Sequence, residues 1–388
     1  MKFVELTCAT FGSCSLKNTS APPHTHAHVP TPFTQPFNPP DVPMQTILFI
    51  INPKSGTDRK IYIRQCIGRC IDTSKYTYRV RYTEYAGHAE VIAREAASQG
   101  IDIVVAVGGD GTVNEVARAL IHTNTALGII PCGSGNGLAR HLQLPIDPEG
   151  AISMINAGNV KSLDYGTMNG LPFFCTCGMG FDAFVSMKFA NSGKRGLISY
   201  IENTLRETLT YTPDTYTLIL DDQKVVQRAF VIACANASQY GNNAFIAPAA
   251  TMSDGLMDIT ILEPFTPIEA PQLALQLFNG TLTTNSRVKT FKAKRVSITR
   301  TGDDPVHVDG DPLTTGKQIT VEIHPKGIKM VVNPYSPTRR LNLLQVFSDQ
   351  LSELPQHLQD FNTELARTSE KNIKHLNRSV LEKLKRKE

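Results

Sequence analysis

The sequence lacks the features of several protein classes. Its eight cysteines form no Cys-x-x-Cys pair, which argues against a zinc site or a disulfide framework and indicates idle thiols in a reducing compartment. No apolar run approaches the roughly 20 residues that a membrane-spanning helix needs. Glu5 interrupts the apolar N-terminus, so no secretory signal is expected. These absences predict a soluble, cytoplasmic protein that can still touch the inner face of a membrane.

Two common nucleotide-binding patterns and a basic folded surface are missing as well. Neither G-x-x-x-x-G-K-[ST] nor G-x-G-x-x-G follows a predicted strand, which excludes the usual P-loop and dinucleotide-binding interpretations. The net charge of +4 comes from the tail, since residues 371–388 hold seven Lys or Arg against two Glu. Nucleic-acid-binding proteins usually carry basic charge on the fold, so no nucleic-acid partner is expected.

Composition divides the chain into four parts. Residues 1–43 contain eight prolines and no hydrophobic periodicity, which predicts a disordered arm and suggests Met44 as the genuine start. Two folded domains are expected at residues 44–164 and 165–332. Apolar residues at steps of three and four then predict C-terminal helices over 333–388, ending in a basic tail. We expect these helices to pack on the protein body, with a homodimeric coiled coil or a membrane-surface helix as alternatives.

The two folded parts differ in rhythm. Strand–loop–helix units follow Met44, and one of them runs from a buried strand at 101–107 through residues 108–112 into a helix at 113–120. This alternation predicts a doubly wound α/β domain with a mostly parallel sheet. After about Leu163 the pattern changes to short β-rich runs, which predict an antiparallel β-sandwich.

Three polar loops that contain glycine stand at predicted strand ends. They are 52–56 (Asn-Pro-Lys-Ser-Gly), 108–112 (Gly-Gly-Asp-Gly-Thr) and 133–136 (Gly-Ser-Gly-Asn). Glycine lets backbone N–H groups approach a phosphate, and ligands of parallel sheets bind at the carboxyl ends of strands. The three loops together therefore predict one nucleotide site.

The helix after the second loop carries a start signal. Thr112 and Glu115 have the spacing of a capping box, with Thr112 as N-cap and Glu115 at the third helical position. A tight turn with a cap and no ligand is the structural alternative. Asp110 weighs against it, because a carboxylate within a phosphate-binding loop is unfavourable unless a cation or a proton transfer uses it.

The order of the motifs resembles the diacylglycerol kinase catalytic-domain family, which includes soluble bacterial diacylglycerol kinases and sphingosine kinases. The resemblance covers residues 46 to about 332. It rests on Asn52-Pro53-x-Ser55-Gly56, Thr83 with Gly87-His88-Ala89, Gly108-Gly109-Asp110-Gly111-Thr112 with Asn114-Glu115, Gly133-Ser134-Gly135-Asn136, Gly178-Met179-Gly180-Phe181-Asp182, Ala247-Pro248 with Asp254-Gly255, and Asp309-Gly310-Asp311. It implies a fold like that of diacylglycerol kinase and NAD kinase, with ATP in the cleft between the domains.

The resemblance also implies roles for single residues. Its ATP contacts are Asn52, Pro53, Lys54, Ser55, Gly56, Thr83, Gly109, Asp110, Gly111, Thr112, Val113, Asn114, Glu115 and Ser134. It implies a structural Mg²⁺ held by Asp254 with backbone oxygens of Thr251 and Leu256. The implied proton acceptor is Asp309; Asp110 is the second choice, because some members assign the role to that position. The expected activity is ATP- and Mg²⁺-dependent phosphorylation of a diacylglycerol or sphingoid-base-like lipid hydroxyl at a membrane surface.

Several alternatives stay open. Asp311 stands where the family usually has Glu, and Asp254 can equally be a turn residue in Ser253-Asp254-Gly255. Lys54 and Lys194 are candidates to offset charge on the transferred phosphoryl group. An NAD kinase-like enzyme is the rival activity, because it shares Gly-Gly-Asp-Gly. A catalytically inactive, lipid-binding regulatory protein is the rival from another class, against which the intact Asp110 and Asp309 argue.

Overall fold

A computed structural model of the chain describes residues 44–54, 60–192, 211–266 and 268–335. The predicted N-terminal arm, the predicted C-terminal helices beyond residue 335, and Lys194 lie outside the described residues. So do Ser55 and Gly56 of the first polar loop.

The first part of the described chain alternates strands and helices, as predicted. Its elements are β1 (Gln45–Ile51), α1 (Lys60–Cys70), β2 (Tyr76–Tyr82), α2 (His88–Ser98), β3 (Ile103–Gly108), α3 (Asp110–Leu120), β4 (Ala126–Pro131), α4 (Gly137–His141) and α5 (Pro148–Ala157). The four strands are parallel and lie in the order β2-β1-β3-β4. Their carboxyl ends therefore share one edge of the sheet.

Both faces of this sheet are covered by helices. On β1, Leu48 and Ile50 join the apolar cluster of α2 and α3, while Ile47 and Phe49 join the cluster of α1 and α5. Because successive side chains of a strand point to opposite faces, a strand covered on both sides must be apolar throughout. The continuous apolar run of β1 is the sequence signature of this doubly wound arrangement.

The second part of the chain is dominated by antiparallel strands. Its elements are β5 (Val160–Met168), β6 (Leu171–Phe173), β7 (Thr176–Gly180), α6 (Phe181–Ser192), β8 (Asp214–Leu220), β9 (Gln223–Ala229), β10 (Val231–Ala235), β11 (Met257–Leu262), α7 (Ala270–Asn279), a short 3-10 helix (Leu282–Thr284), β12 (Val288–Ala293), β13 (Arg295–Thr299), β14 (Pro305–Val308), β15 (Asp311–Thr314) and β16 (Gln318–Val331). The strands β12-β11-β10-β7-β14-β15 form a six-stranded antiparallel sheet.

A second layer of strands faces this six-stranded sheet. Leu218 of β8 and Val296 of β13 are buried in one cluster with Met179, Ile232 and Ile259 of the six-stranded sheet. Two antiparallel layers that enclose an apolar core form a β-sandwich. The predicted fold class, an α/β domain followed by an antiparallel sandwich, is therefore confirmed.

The strand β16 connects the two parts. It pairs with β13 and β5 in antiparallel fashion and meets β4 in parallel at Met330 and Leu127. The parallel sheet thus continues into the sandwich as one ten-stranded sheet. The domain boundary that we predict between residues 164 and 165 falls inside β5, which pairs with β16 on both sides of that point.

Candidate functional site

Two glycine loops touch at the carboxyl edge of β3 and β4. A Cβ atom on Gly133 would lie 2.6 Å from the Cα atom of Gly109, and one on Gly109 would lie 3.2 Å from the Cα atom of Gly133. The Cys132 N–H donates to the carbonyl of Gly108 at 2.8 Å, which keeps β3 and β4 in register where the loops begin. Only glycine allows two backbones to approach this closely. The structure therefore brings together two of the predicted polar loops.

The helix α3 begins at Asp110, immediately after the first of these glycines. Gly109 is the N-cap with extended backbone angles, no side chain in the described part of the chain caps it, and the first helical bond runs from the Val113 N–H to Gly109. The N–H groups of residues 110–112 therefore lack acceptors within the helix. Such N–H groups, together with the helix dipole, favour an anion such as phosphate.

The predicted capping box is wrong. Thr112 lies inside the first turn of α3, and Glu115 does not bond back to it. Instead the Glu115 carboxylate accepts the N–H groups of Gly87 at 2.9 Å and Ala89 at 3.0 Å. Glu115 thus caps the start of the neighbouring helix α2 and fixes the turn after β2.

The end of β1 is held by the side chain of Asn52. Its Nδ2 donates to the Thr112 hydroxyl at 3.0 Å, and its Oδ1 accepts the Lys54 N–H at 2.9 Å. The Thr112 side chain in turn covers Gly108, where an added Cβ would lie 2.5 Å from the hydroxyl oxygen. Asn52 therefore ties the first loop to α3, while the Lys54 side chain stays exposed.

Asp110 is oriented toward the loop 133–136. Its Oδ2 accepts the Asn136 N–H at 2.9 Å, and its Oδ1 accepts the Gly137 N–H at 2.7 Å. A Cβ on Gly135 would lie 2.9 Å from that Oδ2, so the loop can close over the carboxylate because residue 135 has no side chain. These hydrogen bonds offset the negative charge of Asp110 and clamp the loop at the start of α4.

The remaining predicted ATP contacts differ in exposure. Thr83, Val113 and Asn114 are buried, whereas Ser134 and Gly111 are exposed and Pro53 is half-buried. The buried side chains support the loops from behind. The exposed surface at this edge is formed mostly by backbone.

Asp309 occupies the turn of the β14–β15 hairpin. Asp309 and Gly310 have φ angles of 49° and 88°, the left-handed values of a two-residue type I′ turn, for which Asp-Gly is a preferred pair. The Asp309 N–H donates to the carbonyl of Thr176 at 2.8 Å. The turn is thereby anchored to the start of β7.

The Asp309 carboxylate accepts three successive backbone N–H groups. Oδ1 accepts those of Cys175 at 2.8 Å and Thr176 at 2.9 Å, and Oδ2 accepts that of Phe174 at 2.8 Å. A carboxylate offers about four lone-pair directions, so Oδ2 keeps one for a further proton or donor. Burial raises the pKa of Asp309 to about 6, against the opposing effect of the three N–H groups.

The charges of Asp309 and Asp110 both act on one thiol. Burial raises the pKa of Cys175 well above its ordinary value, and the charges of Asp309 and Asp110 raise it further. Burial also raises the pKa of Asp311, while the charge of Arg118 lowers it and that of Glu115 raises it. Cys175 is therefore near both carboxylates, and Asp311 is near α3.

A loop of the sandwich contacts the same edge of the parallel sheet. The Asn242 N–H donates to the carbonyl of Gly135 at 3.0 Å. Gly241 has a φ of 121°, and an added Cβ would meet Gly135 at 3.1 Å. The two domains thus touch beside Asp110, which places groups of both domains at one site.

Protein groups contact both carboxylate oxygens of Asp254 at the predicted metal site. Thr251, Asp254 and Leu256 do lie in one turn before β11, but Asp254 Oδ1 accepts the Leu256 N–H at 3.1 Å and Oδ2 contacts the Lys292 ammonium at 2.9 Å. Lys292 Nζ also lies 3.0 Å from Asp258. Over the described ranges, no group of three or more His, Cys, Asp or Glu side chains could hold a metal ion. We therefore assign no step to a metal at this turn.

Mg²⁺ without nucleotide is expected to leave the melting temperature unchanged, because the Lys292 ammonium already supplies positive charge between Asp254 and Asp258. Lys292→Met should lower the melting temperature by a few degrees, since the two carboxylates then lose their shared partner, and Mg²⁺ should restore part of the loss. Differential scanning fluorimetry with Mg²⁺ and with EDTA measures both effects. A rise with Mg²⁺ in the unaltered protein would instead support the metal site.

A polar cluster joins the buried Asp182 and His307 to the half-buried Tyr240. The sequence motif contained Asp182 without a role, and a histidine within an apolar strand was the overlooked signal for His307. Among the helices of the described ranges, none combines the length and the apolar character needed to cross a bilayer.

Comparisons with known proteins agree with this architecture. The family model "diacylglycerol kinase catalytic domain" matches residues 46–168, and the model "YegS C-terminal NAD kinase beta sandwich-like domain" matches residues 175–332. A probable lipid kinase YegS-like of Yersinia pestis (strain Pestoides F) is 29% identical over 301 residues, which cover 76% of this chain and 99% of that protein. The homologous protein of Yersinia pseudotuberculosis serotype O:1b (strain IP 31758) gives the same values.

A solved structure shows the same fold. The crystal structure of a diacylglycerol kinase from Bacillus anthracis str. Sterne superposes with a TM-score of 0.59 at 23% identity, covering 75% of this chain and 98% of that one. At this level of identity the likeness bears on the fold alone.

Proposed function

Because the chain belongs to the diacylglycerol kinase catalytic-domain family, we propose that it is a lipid kinase that transfers the γ-phosphate of ATP to a lipid hydroxyl. The observation that carries this proposal is a pair of features near Cys175. The uncapped start of α3, which is suited to phosphate, carries Asp110, and Asp309 keeps one lone pair for a proton; the charges of both carboxylates act on that thiol. A diacylglycerol or a sphingoid-base-like lipid is the acceptor class that we propose.

The nucleotide is proposed to bind as Mg·ATP at the edge formed by β1, β3 and β4. The N–H groups of residues 110–112 would donate hydrogen bonds to phosphate oxygens, and the glycine contacts at Gly109 and Gly133 let the phosphates reach that backbone. The exposed Lys54 and Ser134 are side chains that can add a charge and a hydroxyl at the rim. Asp110 acts here through the loop that it clamps.

The chemical step uses Asp309 as the proton acceptor. The lipid oxygen attacks the γ-phosphorus in line, the bond from that phosphorus to the β,γ-bridging oxygen breaks, and ADP leaves. The hydroxyl proton passes to Asp309 Oδ2, the carboxylate oxygen that accepts only one N–H group of the described chain. Asp110 remains the second candidate for this role, since each of its oxygens accepts one backbone N–H of the loop and likewise keeps a lone pair.

The apolar part of the acceptor needs a surface close to the Asp309 turn. An aromatic group that includes Phe181, Tyr211, Phe230 and Phe265 packs beside α6, with centroid separations of 4.5 to 5.5 Å. Two apolar side chains at α7 stay in contact with solvent, Ile268 with 91% and Leu275 with 61% of its surface exposed. We propose peripheral contact with a membrane surface through this region, where a lipid acceptor would be available.

The rate is expected to fall as the pH drops through about 6, because the protonated form of Asp309 cannot accept a proton and burial raises its pKa to about that value. The same shift means that Asp309 stabilises the fold most below the ordinary pKa of aspartate, and that this contribution is lost as the pH rises through about 6. Steady-state rates at saturating Mg·ATP, measured over a range of pH, test the expected fall in rate.

Phosphate groups themselves titrate near pH 6, so Mg·ATP binding must be measured by calorimetry over the same range. A rate that falls as the pH drops through about 6, without a matching loss of Mg·ATP binding, supports the role of Asp309. A rate that stays flat through pH 6 contradicts it.

Incubation with γ-labelled ATP and a panel of acceptors tests the proposed function. Diacylglycerol, a sphingoid base, NAD and a control without acceptor form the panel, and we expect label only in a lipid. Label in NAD would favour the NAD kinase-like alternative, which shares the Gly-Gly-Asp-Gly motif. Lipid binding to vesicles without turnover of any acceptor would favour a regulatory protein.

A further inference from the structure

A buried chain of hydrogen bonds leads from α6 to the Asp309 turn. His307 Nε2 lies 3.0 Å from Asp182 Oδ2, and the Tyr240 hydroxyl donates to that same oxygen at 2.9 Å. Asp182 Oδ1 accepts the Ala183 N–H at 2.8 Å. His307 is 2% exposed and Asp182 is 9% exposed, so water does not substitute easily for these bonds.

The partners of His307 fix which ring nitrogen carries the proton. An ionised carboxylate can only accept, so Nε2 must donate its hydrogen to Asp182. At the other side of the ring, the Gly310 N–H points to Nδ1 at 3.4 Å, so Nδ1 must accept. Asp182 thus selects the form of the imidazole that can hold the N–H of the residue directly after Asp309.

We propose that Asp182 is a positioning residue for the proton acceptor, acting through His307 on the Asp309–Gly310 turn; this role rests on the proposed kinase function. Asp309 lies two residues after His307, and both residues of the turn have left-handed φ angles. The Asp-Gly pair favours this turn by itself, and the chain from Asp182 to Gly310 adds a contact that fixes the turn relative to α6.

The same carboxylate also connects the turn to the phosphate-binding edge. Tyr240 lies on the sandwich loop whose Asn242 N–H holds Gly135, and Gly135 closes over Asp110. One buried oxygen of Asp182 therefore accepts hydrogen bonds both from the strand that carries the base and from the loop that contacts the nucleotide side. This arrangement fixes the spacing between the proton acceptor and the phosphate.

Two substitutions separate positioning from general support of the fold. Asp182→Asn replaces one carboxylate oxygen by an NH₂ group, which disturbs either the bond to Ala183 or those to His307 and Tyr240. His307→Gln keeps a donor for Asp182 but removes the acceptor for the Gly310 N–H. We expect kcat to fall on the order of 10- to 100-fold in both. In His307→Gln, which leaves the Tyr240 bond in place, the Kd for Mg·ATP should stay unchanged.

Ser186→Ala is the matched control. The Ser186 hydroxyl donates to the carbonyl of Asp182 on the same helix at 2.9 Å, so its loss perturbs α6 without touching the chain to His307. We expect a normal kcat for this variant. Normal kcat in folded Asp182→Asn and His307→Gln would overturn the proposal, whatever their melting temperatures.

Two nuclear magnetic resonance measurements do not depend on turnover. The imidazole nitrogen shifts of His307 should show hydrogen on Nε2 in the unaltered protein, and the Gly310 amide should exchange faster in His307→Gln than in the unaltered protein. Hydrogen on Nδ1, or a Gly310 amide that exchanges equally in both, would overturn the inferred chain. If no acceptor is phosphorylated while both signals are as expected, the kinase proposal fails and the hydrogen-bonded chain stands.

Discussion

Asp309→Asn is expected to lower kcat by about 10²- to 10⁴-fold and to leave the affinity for Mg·ATP unchanged. The amide can place its oxygen at the Oδ1 position and keep the N–H groups of Cys175 and Thr176. Its NH₂ group then occupies the Oδ2 position, where it cannot accept the proton of the lipid hydroxyl. The variant therefore removes the proton acceptor while most of the anchoring hydrogen bonds persist. Lipid phosphorylation at saturating substrates and calorimetry with Mg·ATP measure the two effects separately.

Asp221→Asn is a matched control for this substitution. Asp221 also has a left-handed φ, of 50°, and its carboxylate also accepts backbone N–H groups, those of Lys294 and Arg295. Asp221 lies in the β8–β9 turn. Its amide variant therefore weakens the hydrogen bonds of a left-handed turn, as Asp309→Asn does, but removes no proton acceptor from the candidate site. We expect a near-normal rate for Asp221→Asn. A rate for Asp309→Asn within about threefold of the unaltered protein would show that another group accepts the proton.

Gly133→Ala is expected to weaken Mg·ATP binding by on the order of 100-fold, the equivalent of one or two hydrogen bonds to charged groups. The added Cβ would lie 2.6 Å from the Cα atom of Gly109 and 3.1 Å from Asn136 Oδ1. Because the first of these neighbours is backbone, the two loops must separate rather than one side chain rotate. The N–H groups at the start of α3 would then lose their alignment with the phosphates.

Gly316→Ala provides the comparison, because an added Cβ there meets no atom within 4 Å and its φ is not left-handed. Its Kd for Mg·ATP, measured by the same calorimetry, should equal that of the unaltered protein. If Gly133→Ala bound Mg·ATP normally, the nucleotide would not bind at the edge of β3 and β4. The proposed function would then need a different nucleotide site.

Local patterns were sufficient for the fold and for the meeting of two glycine loops. Residues 47–51 of β1 are all apolar because helices cover both sides of the strand, and the break at 108–112 is rich in glycine because two backbones meet there. Both facts are properties of a few consecutive residues. Periodicity and composition could therefore predict the alternating domain, and the resemblance to a known family agreed with them.

Roles that depend on distant partners were not predictable in the same way. Thr112 and Glu115 have the spacing of a capping box, yet the Glu115 carboxylate accepts N–H groups 26 and 28 residues earlier in the chain. Asp254 has the setting of a metal ligand, yet an ammonium group 38 residues later contacts it. Each of these contacts joins residues far apart in the chain, and spacing along one sequence contains no information about such contacts.

The hairpin that carries Asp309 was missed for a different reason. Its strands β14 and β15 have four residues each, and proline, histidine and aspartate interrupt their apolar alternation. The Asp-Gly pair at 309–310 was the available signal for a type I′ turn. Because that pair also belongs to the family motif, its value as a turn signal was overlooked, and the conformation of Asp309 came from the structure.

The course of β16 limits how the enzyme can admit its substrates. The strand changes partners at a bulge around residues 325–327, where Asp164 accepts the Lys326 N–H at 2.7 Å and the His122 N–H donates to Gly327 at 2.8 Å. A hinge rotation of the α/β domain against the sandwich would have to break main-chain hydrogen bonds of this shared strand. We therefore expect the angle between the α/β domain and the sandwich to stay fixed throughout the catalytic cycle. Entry of the nucleotide and release of the phosphorylated lipid should then proceed through displacement of surface segments.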